Sequence, residues 1–170
     1  MAKLLYIEGP DHSGKTTLIE KIRKEQDRFY HNGVFNSPQE AYFAYKMQIM
    51  CYEEDNFEND IITTIMDRGP CAEQIYGSIM RNQNMSAPML EDLLLHLNRV
   101  EAHMIICLPP MITCLEGWMS RRDQEYVKDT ELYKDVWRGY NDLLQSAENI
   151  PLEITHYDYT VQPEFTPERD

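Results

Sequence analysis

The stretch EGPDHSGKTTL, residues 8–18, decides the fold of this 170-residue chain. Residues 9–16 fit the pattern G-x-x-x-x-G-K-[ST], with an apolar run before them and a helical period after them. Glycines let such a loop wrap around a phosphate, and successive N–H groups at the helix start point at the anion. The loop, called the P-loop below, therefore predicts a nucleoside triphosphate site, with Lys15 at the β- and γ-phosphates.

We expect the whole P-loop to contact the nucleotide, and the Thr16 hydroxyl to be available to Mg²⁺ as well. The expected contacts are Gly9, His12, Ser13, Gly14, Lys15, Thr16 and Thr17. Asp11 is the exception, because a loop that binds only phosphates gains nothing from a carboxylate. It could accept a hydrogen bond from a sugar hydroxyl of a second substrate, hold metal-bound water, or simply support the turn.

Composition narrows the class of protein. A length of 170 residues predicts a single domain, residues 1–170, with an ordinary globular mix of 42% hydrophobic and 26% charged residues. A net charge of -13 argues against binding to duplex nucleic acid, but a few local cations can still hold a small anion. Four cysteines without CxxC spacing fit reduced thiols in the cytoplasm, and no apolar run reaches membrane-spanning length.

Strand and helix patterns alternate along the chain. The predicted strands are 4–8, 33–35, 61–66, 103–108 and 152–157. The predicted helices begin at Lys15 and then cover 38–52, 70–81, 86–100, 111–119 and 131–147. Alternation of this kind indicates an α/β fold of the P-loop NTPase type, in three layers: a central parallel sheet of about five strands, covered by helices on both faces.

Several segments together resemble the thymidylate kinases, a family of deoxynucleoside monophosphate kinases. EGPDHSGKTTL is similar to the family's E-G-x-D-x-x-G-K-[ST]-T loop, and MDRGPCAEQIYG to its D-R-Y-x-x-S-x-x-A-Y segment. IICLPPMITCLEGWMSRRDQEY resembles its strand, proline turn, helix and arginine-bearing lid, and VWRGYNDLL its following helix. The likeness covers residues 4–144. It implies transfer of the γ-phosphoryl group of ATP, with Mg²⁺, to dTMP or a related deoxynucleotide.

The resemblance also implies roles for single residues. Asp11 would contact the 3′-hydroxyl of the acceptor sugar, and Arg68 would hold the acceptor's phosphate. Asp67 would lie beside Mg²⁺, together with Thr16. Phe43 would stack on the base and Tyr76 would lie under the deoxyribose. From composition alone, the two aromatic residues are equally well explained as core side chains.

The lid segment, residues 119–128, carries Arg121 and Arg122. Many family members place an arginine where His12 stands, so we expect the lid to supply the missing cation. The predicted catalytic residues are therefore Lys15, Arg121, Arg122 and Asp11. Other departures lie around the base: Met47 replaces an arginine, and Ala72 and Glu73 replace a polar pair. The base that is accepted is therefore left open.

Two other functions remain open at this stage. A deoxynucleoside kinase would need a proton acceptor, usually a glutamate just after the second strand, and we expect Ser37 or Pro38 there. A nucleotide-binding switch would usually carry an N/T-K-x-D segment or a water-orienting glutamine, and neither is clear. The apolar surfaces of helices 38–52 and 70–81 also fit a two-fold homodimer.

Overall fold

A computed structural model describes residues 3–58, 62–165 and 167 of the chain. Within that part, one sheet of five parallel strands has the order β2-β3-β1-β4-β5. The strands are β1 Leu4–Glu8, β2 Arg28–His31, β3 Thr64–Asp67, β4 His103–Cys107 and β5 Glu153–Tyr157. The α-helices are α1 Lys15–Ile22, α2 Pro38–Glu58, α3 Pro70–Tyr76, α4 Ala87–Arg99, α5 Met111–Arg121 and α6 Thr130–Gln145.

The sheet separates two hydrophobic cores, as alternation along a strand requires. Leu4 and Tyr6 of β1 face the larger core, which is built with side chains from α2 to α6. Leu5 and Ile7 face the smaller core, where they meet α1 and the segment that follows β5. The predicted three-layer α/β fold is confirmed, although a single helix and the C-terminal segment cover the second face.

The second strand was wrongly placed by the sequence pattern. The segment 33–35 is irregular, and the strand is RFYH, Arg28–His31, which pairs with β3 so that His31 lies beside Asp67. An edge strand tolerates polar ends because one of its sides faces solvent. Phe29 packs on the smaller core and Tyr30 on the larger one, and this alternation holds the strand in place.

Two further elements differ from their predicted bounds. The third strand begins at Thr64 rather than at Ile61, which lies outside the described residues. The predicted helix 70–81 is α-helical only to Tyr76 and continues as a π-helix, Gly77–Arg81, which ends at Asn82 in the left-handed region. None of the described helices combines the length and the apolar character needed to cross a bilayer.

All five strands point the same way, so their carboxyl ends lie along one edge of the sheet. The central strand β1 ends at Glu8 and leads directly into the P-loop, while β3 beside it ends at Asp67. Ligands of open parallel sheets bind in the crevice outside this edge. The fold therefore brings the P-loop, the Asp67-Arg68 pair and the ends of β2 and β5 together.

Candidate active site

The P-loop is held in shape by left-handed backbone at three residues. Gly9 and Gly14 have φ values of 139° and 89°, and His12 has a φ of 60°. A Cβ on Gly9 would collide with the carbonyl oxygen of Cys107, and a Cβ on Gly14 would lie 2.7 Å from the ring of Tyr159. Both glycines are therefore required by close packing as well as by φ.

The P-loop borders a cavity of about 740 Å³, called the P-loop cavity here. Its lining comprises the residues 11–17 together with His31, Asp67, Arg68, Arg121, Glu125, Tyr157, Tyr159 and Pro163. The volume is within the range of small-ligand sites. Every residue of the predicted nucleotide site except Gly9 lines this cavity. Gly9 instead packs closely against the carbonyl oxygen of Cys107 and so helps to fix the loop.

Lys15 is buried at the floor of the cavity. Its Nζ donates hydrogen bonds to the carbonyl oxygens of Gly9 at 2.9 Å and Pro10 at 2.6 Å. Burial lowers the pKa of Lys15, and the nearby Arg68 adds to this, while Asp11 opposes it. The ammonium is thus held by two carbonyl groups of its own loop, in a position where phosphate oxygens can replace them.

Asp67 fits the role of a magnesium-associated carboxylate. Its Oδ2 accepts a hydrogen bond from His31 Nδ1 at 2.7 Å, whereas its Oδ1 is buried without a partner among the described residues. The Thr16 hydroxyl lies exposed at the start of α1. Mg²⁺ is commonly bound through one or two protein oxygens plus phosphate oxygens and water, so these two residues match the chemistry of that ion.

Across residues 3–58, 62–165 and 167, there is no group of three or more His, Cys, Asp or Glu side chains arranged to hold a metal. A protein-only metal cage is thus not seen in the described chain.

Asp11, Arg68 and Tyr76 form one connected group at the far side of the P-loop. Arg68 Nη2 donates to Asp11 Oδ1, the Tyr76 hydroxyl donates to Asp11 Oδ2 at 3.3 Å, and the guanidinium lies 4.7 Å from the Tyr76 ring centroid. Burial opposes ionisation of Asp11, but Arg68 and then Lys15 outweigh it and lower its pKa. The group therefore keeps a carboxylate and a guanidinium side by side.

The backbone of Arg68 is itself strained, with a φ of 69°. Asn32 holds it there, because its Nδ2 donates to the Arg68 carbonyl oxygen at 2.8 Å, and Arg68 N donates to the Ile7 carbonyl oxygen at 2.9 Å. Non-glycine residues in this region are uncommon and persist where surrounding contacts fix them. The result is a guanidinium that points across the P-loop rather than along the strand.

The two predicted lid arginines are not equivalent. Arg121, in the last turn of α5, lines the P-loop cavity, whereas Arg122 is half exposed and lies 3.9 Å from the Asp123 carboxylate. Glu125 closes the segment onto the P-loop through a 2.8 Å contact with His12 Nε2. The Tyr133 hydroxyl, from α6, donates to the Asp11 carbonyl oxygen at 2.6 Å.

A second, smaller cavity lies on the other side of Arg68 and is called the Glu73 cavity. It is lined by Gly33, Val34, Tyr45, Arg68, Ala72, Glu73, Tyr76, Arg81 and Tyr126. The cavity has a volume of about 20 Å³, roughly the space of one water molecule. Val34 and Tyr126 are 50% and 45% exposed, so these two side chains form the outer rim of the cavity.

Phe43 was predicted to stack on the base of the acceptor. Phe43 does not line the Glu73 cavity; it is 64% exposed on α2 and packs edge-on against Tyr42. Tyr45, two residues later, faces the cavity instead. A helix turns 100° per residue, so a shift of two positions places a side chain on nearly the opposite face. Met47, which stands where the thymidylate kinases carry an arginine, is exposed as well.

Several site residues were missed by sequence reasoning. His31 was overlooked because the second strand was misplaced, and Tyr159 because it follows the last strand in a segment without a motif. Tyr126 and Glu125 were part of the lid segment but received no role. All four are polar or aromatic residues at or near the end of a strand or in the lid segment, and that position was the available signal.

Comparisons with known proteins support the fold. No protein-family model and no curated protein sequence matches the chain. The solved YorR protein from Bacillus subtilis, in complex with phosphorylated GDP, matches with a TM-score of 0.71 at 14% identity over 93% of this chain and 86% of that one. Deoxyadenosine kinase from M. mycoides, solved with dCMP and a flexible dCDP, matches with a TM-score of 0.54 at 18% identity over 95% of both chains.

The same deoxyadenosine kinase with bound dATP gives a TM-score of 0.53 at 15% identity, over 92% of this chain and 91% of that one. Likeness at such low identity shows the fold and leaves the substrate undetermined. The chain therefore has the fold of solved nucleotide-binding proteins that include deoxynucleoside kinases.

Proposed function

We propose that the protein is a nucleotide kinase of the thymidylate kinase type, which transfers the γ-phosphoryl group of ATP to a deoxynucleoside monophosphate. The observation that carries the proposal is the position of Arg68. Its guanidinium lines both cavities, so it lies between the P-loop and the place where a second ligand would sit. A fixed guanidinium at that junction suits the phosphate of an acceptor that is already phosphorylated.

The reaction needs little besides positioning and charge. An oxygen of the acceptor's phosphate attacks the γ-phosphorus, and the bond to the β-phosphate oxygen breaks to release ADP. The monophosphate is largely dianionic at neutral pH, so its attacking oxygen requires no general base. Lys15 and Arg121 line the P-loop cavity and would offset the charge on the transferred group.

When bound, Mg²⁺ would supply positive charge that offsets the charge developing on the phosphates. Asp67 and Thr16 are the residues that would hold it, and His31 would fix the carboxylate through Oδ2. Closure of the lid segment over the P-loop, through Glu125 and His12, would exclude water and limit hydrolysis of ATP.

A second candidate is a deoxynucleoside kinase, which the fold of the deoxyadenosine kinase from M. mycoides favours. Such an enzyme needs a proton acceptor near the attacking 5′-hydroxyl. The expectation of Ser37 or Pro38 at that place depended on the misplaced second strand. The side chain at the end of β2 is His31, which lines the P-loop cavity.

One assay separates the candidates: ADP release with ATP·Mg²⁺, measured alone, with each deoxynucleoside, and with each deoxynucleoside monophosphate. The proposal predicts turnover that depends on a monophosphate. Preference for an unphosphorylated nucleoside would favour the second candidate, and turnover without any acceptor would favour a nucleotide-binding switch.

Two variants test the assigned roles. Lys15→Ala should lower kcat by about 100-fold or more while the protein remains folded, because it removes the charge nearest the transferred group. Arg68→Ala should raise KM for the monophosphate far more than KM for ATP. Arg99→Ala is the matched control, since Arg99 forms an exposed ion pair with Glu53 elsewhere. Near-normal turnover by folded Lys15→Ala would exclude the kinase assignment.

A further inference from the structure

The Glu73 cavity contains an ion pair that the proposed chemistry does not use. Glu73, in the first turn of α3, accepts a hydrogen bond from Arg81 Nη2 at the end of the π-helix. The two side chains are only 4% and 15% exposed. Because withdrawal of both charges from water is unfavourable, such a pair is weak as a stabilising device and calls for another explanation.

The local backbone is shaped to bring this pair together. A Cβ on Gly77 would lie 2.8 Å from Arg81 Nη2 and 3.2 Å from Glu73 Oε1, so both groups rest directly on the Gly77 backbone. The π-helical turn from Gly77 to Arg81 adds one residue per turn and re-aims Arg81. No acceptor in the described part of the chain reaches the buried Nε of Arg81, which therefore has a donor to spare.

The position of the Glu73–Arg81 pair relative to Arg68 indicates which end of a bound acceptor would meet the pair. Arg68 borders both cavities, and the Tyr76 ring beside it lines the Glu73 cavity. An acceptor whose phosphate meets Arg68 from the P-loop side therefore directs its other end, the base, toward Glu73 and Arg81. Tyr45 and Tyr126 supply aromatic surface there.

We propose that Glu73 and Arg81 read the hydrogen-bonding edge of the acceptor's base and select a base with an exocyclic amino group over thymine or uracil. This inference rests on the proposed function for the orientation of the acceptor. A carboxylate only accepts hydrogen bonds and a guanidinium only donates them. Cytosine offers the matching pattern, because its N4 amino group donates and the adjacent N3 and O2 accept.

Thymine and uracil present the opposite pattern at the position of the amino group. Their O4 carbonyl oxygen would face the Glu73 carboxylate, and two acceptors without a donor between them repel each other. Burial raises the pKa of Glu73 to about 7, and Arg81 opposes that rise, so at pH 8 the carboxyl is mostly ionised and acts as an acceptor. A mismatched polar group in a buried site weakens binding by about 10- to 100-fold.

The test compares acceptors that differ only at this atom. With wild-type protein at pH 8, dCMP should exceed dUMP, and 5-methyl-dCMP should exceed dTMP, by at least about tenfold in kcat/KM. The methyl group is matched within the second pair, so size does not enter. Equal or better use of dUMP and dTMP would overturn the inference while leaving the kinase assignment intact.

Variants then connect the preference to the pair. Glu73→Gln should bring each ratio to within about threefold of one, mainly through KM, because an amide can also donate to a carbonyl oxygen. Arg81→Gln provides a second variant if the first one does not fold. Glu53→Gln, which breaks the exposed pair with Arg99, is the matched control and should leave both ratios unchanged. An unchanged preference in folded Glu73→Gln or Arg81→Gln would refute the assignment to these residues.

Equilibrium binding separates this inference from the proposed function. Isothermal titration with dCMP, dUMP and the corresponding nucleosides, without ATP, measures the base preference whether or not phosphoryl transfer occurs. Absence of turnover with every monophosphate would refute the proposed function, yet at least tenfold tighter binding of the cytosine member of each pair would still support the reading of the base. No difference in binding, including no binding at all, would overturn it.

Discussion

Replacing Glu8 by glutamine should reduce the loss of folding stability that occurs as the pH rises. Glu8 is fully buried at the end of β1, where its Oε1 accepts from the backbone N–H groups of Gly69 and Ala72 and its Oε2 from the Tyr140 hydroxyl. Burial raises its pKa from 4.5 to about 7, although those hydrogen bonds and then Arg68 act in the opposite direction. The Glu8 carboxyl is therefore a buried part of the site's framework, and burial favours its protonated form.

The sign and size of the effect follow from linkage. The folded state binds the Glu8 proton more tightly than the unfolded state, so the stabilisation is fully present below pH 4.5 and is lost as the pH rises through 7. A difference of about 2.5 pKa units corresponds to about 3 kcal/mol, at about 1.4 kcal/mol per unit. Most of this change falls between pH 5 and pH 8.

The assay is urea unfolding of wild type and Glu8→Gln at several pH values in that range. Glutamine cannot ionise, so the free energy of unfolding of the variant minus that of wild type should increase by about 2 to 3 kcal/mol from pH 5 to pH 8. Taking the difference cancels all other titrating groups, including Glu73. Glu53→Gln, at a partly exposed site, should show no comparable increase. If the difference between Glu8→Gln and wild type does not change with pH, the pKa of Glu8 is not raised in the folded state.

Three more outcomes are expected. Arg121→Ala should lower kcat at saturating ATP by about 100-fold, with little change in KM for the acceptor. Arg122→Ala should keep kcat within about twofold of wild type. Equal losses of kcat in the two variants would contradict the assignment of the cation to Arg121. Asp67→Asn should weaken Mn²⁺ binding in the presence of ADP by about tenfold, measured by electron paramagnetic resonance, and unchanged affinity would remove Asp67 from the metal site. Phe43→Ala should leave KM for the acceptor within about twofold, and a tenfold rise would restore its predicted stacking role.

The P-loop and the sheet could be predicted because each depends on local signals. The spacing of Gly9, Gly14 and Lys15 is dictated by the close approach of the backbone, and buried parallel strands appear as short apolar runs. The edge strand β2 lacks such a run, since its ends are Arg28 and His31. Its position is decided by pairing with β3, which is a long-range contact that no local pattern contains.

The orientation of side chains within the site was harder to foresee than their presence. The resemblance to the thymidylate kinases placed Asp67 and Arg68 at the site, and both line the P-loop cavity. The left-handed backbone that turns Arg68 across the P-loop depends on Asn32, which lies 36 residues away. Phe43 was named because the resemblance to the thymidylate kinases implied a stacking role for it. Tertiary packing decides which face of a helix lies against a cavity, and here Tyr45 rather than Phe43 lines it.

In the proposed reaction, a P-loop without an arginine would take its further cation from the lid segment. His12 directs its Nε2 at Glu125 of the lid segment, so its ring takes part in a contact between the P-loop and the lid. Arg121, four residues before Glu125, lines the P-loop cavity, and Tyr126, the next residue after Glu125, lines the Glu73 cavity. Under the proposed function, this one segment would bring a cation to the donor phosphates and form a wall of the acceptor pocket. Because Arg121 and Tyr126 lie on the same segment, we expect its closure over donor and acceptor to bring Arg121 into place for transfer.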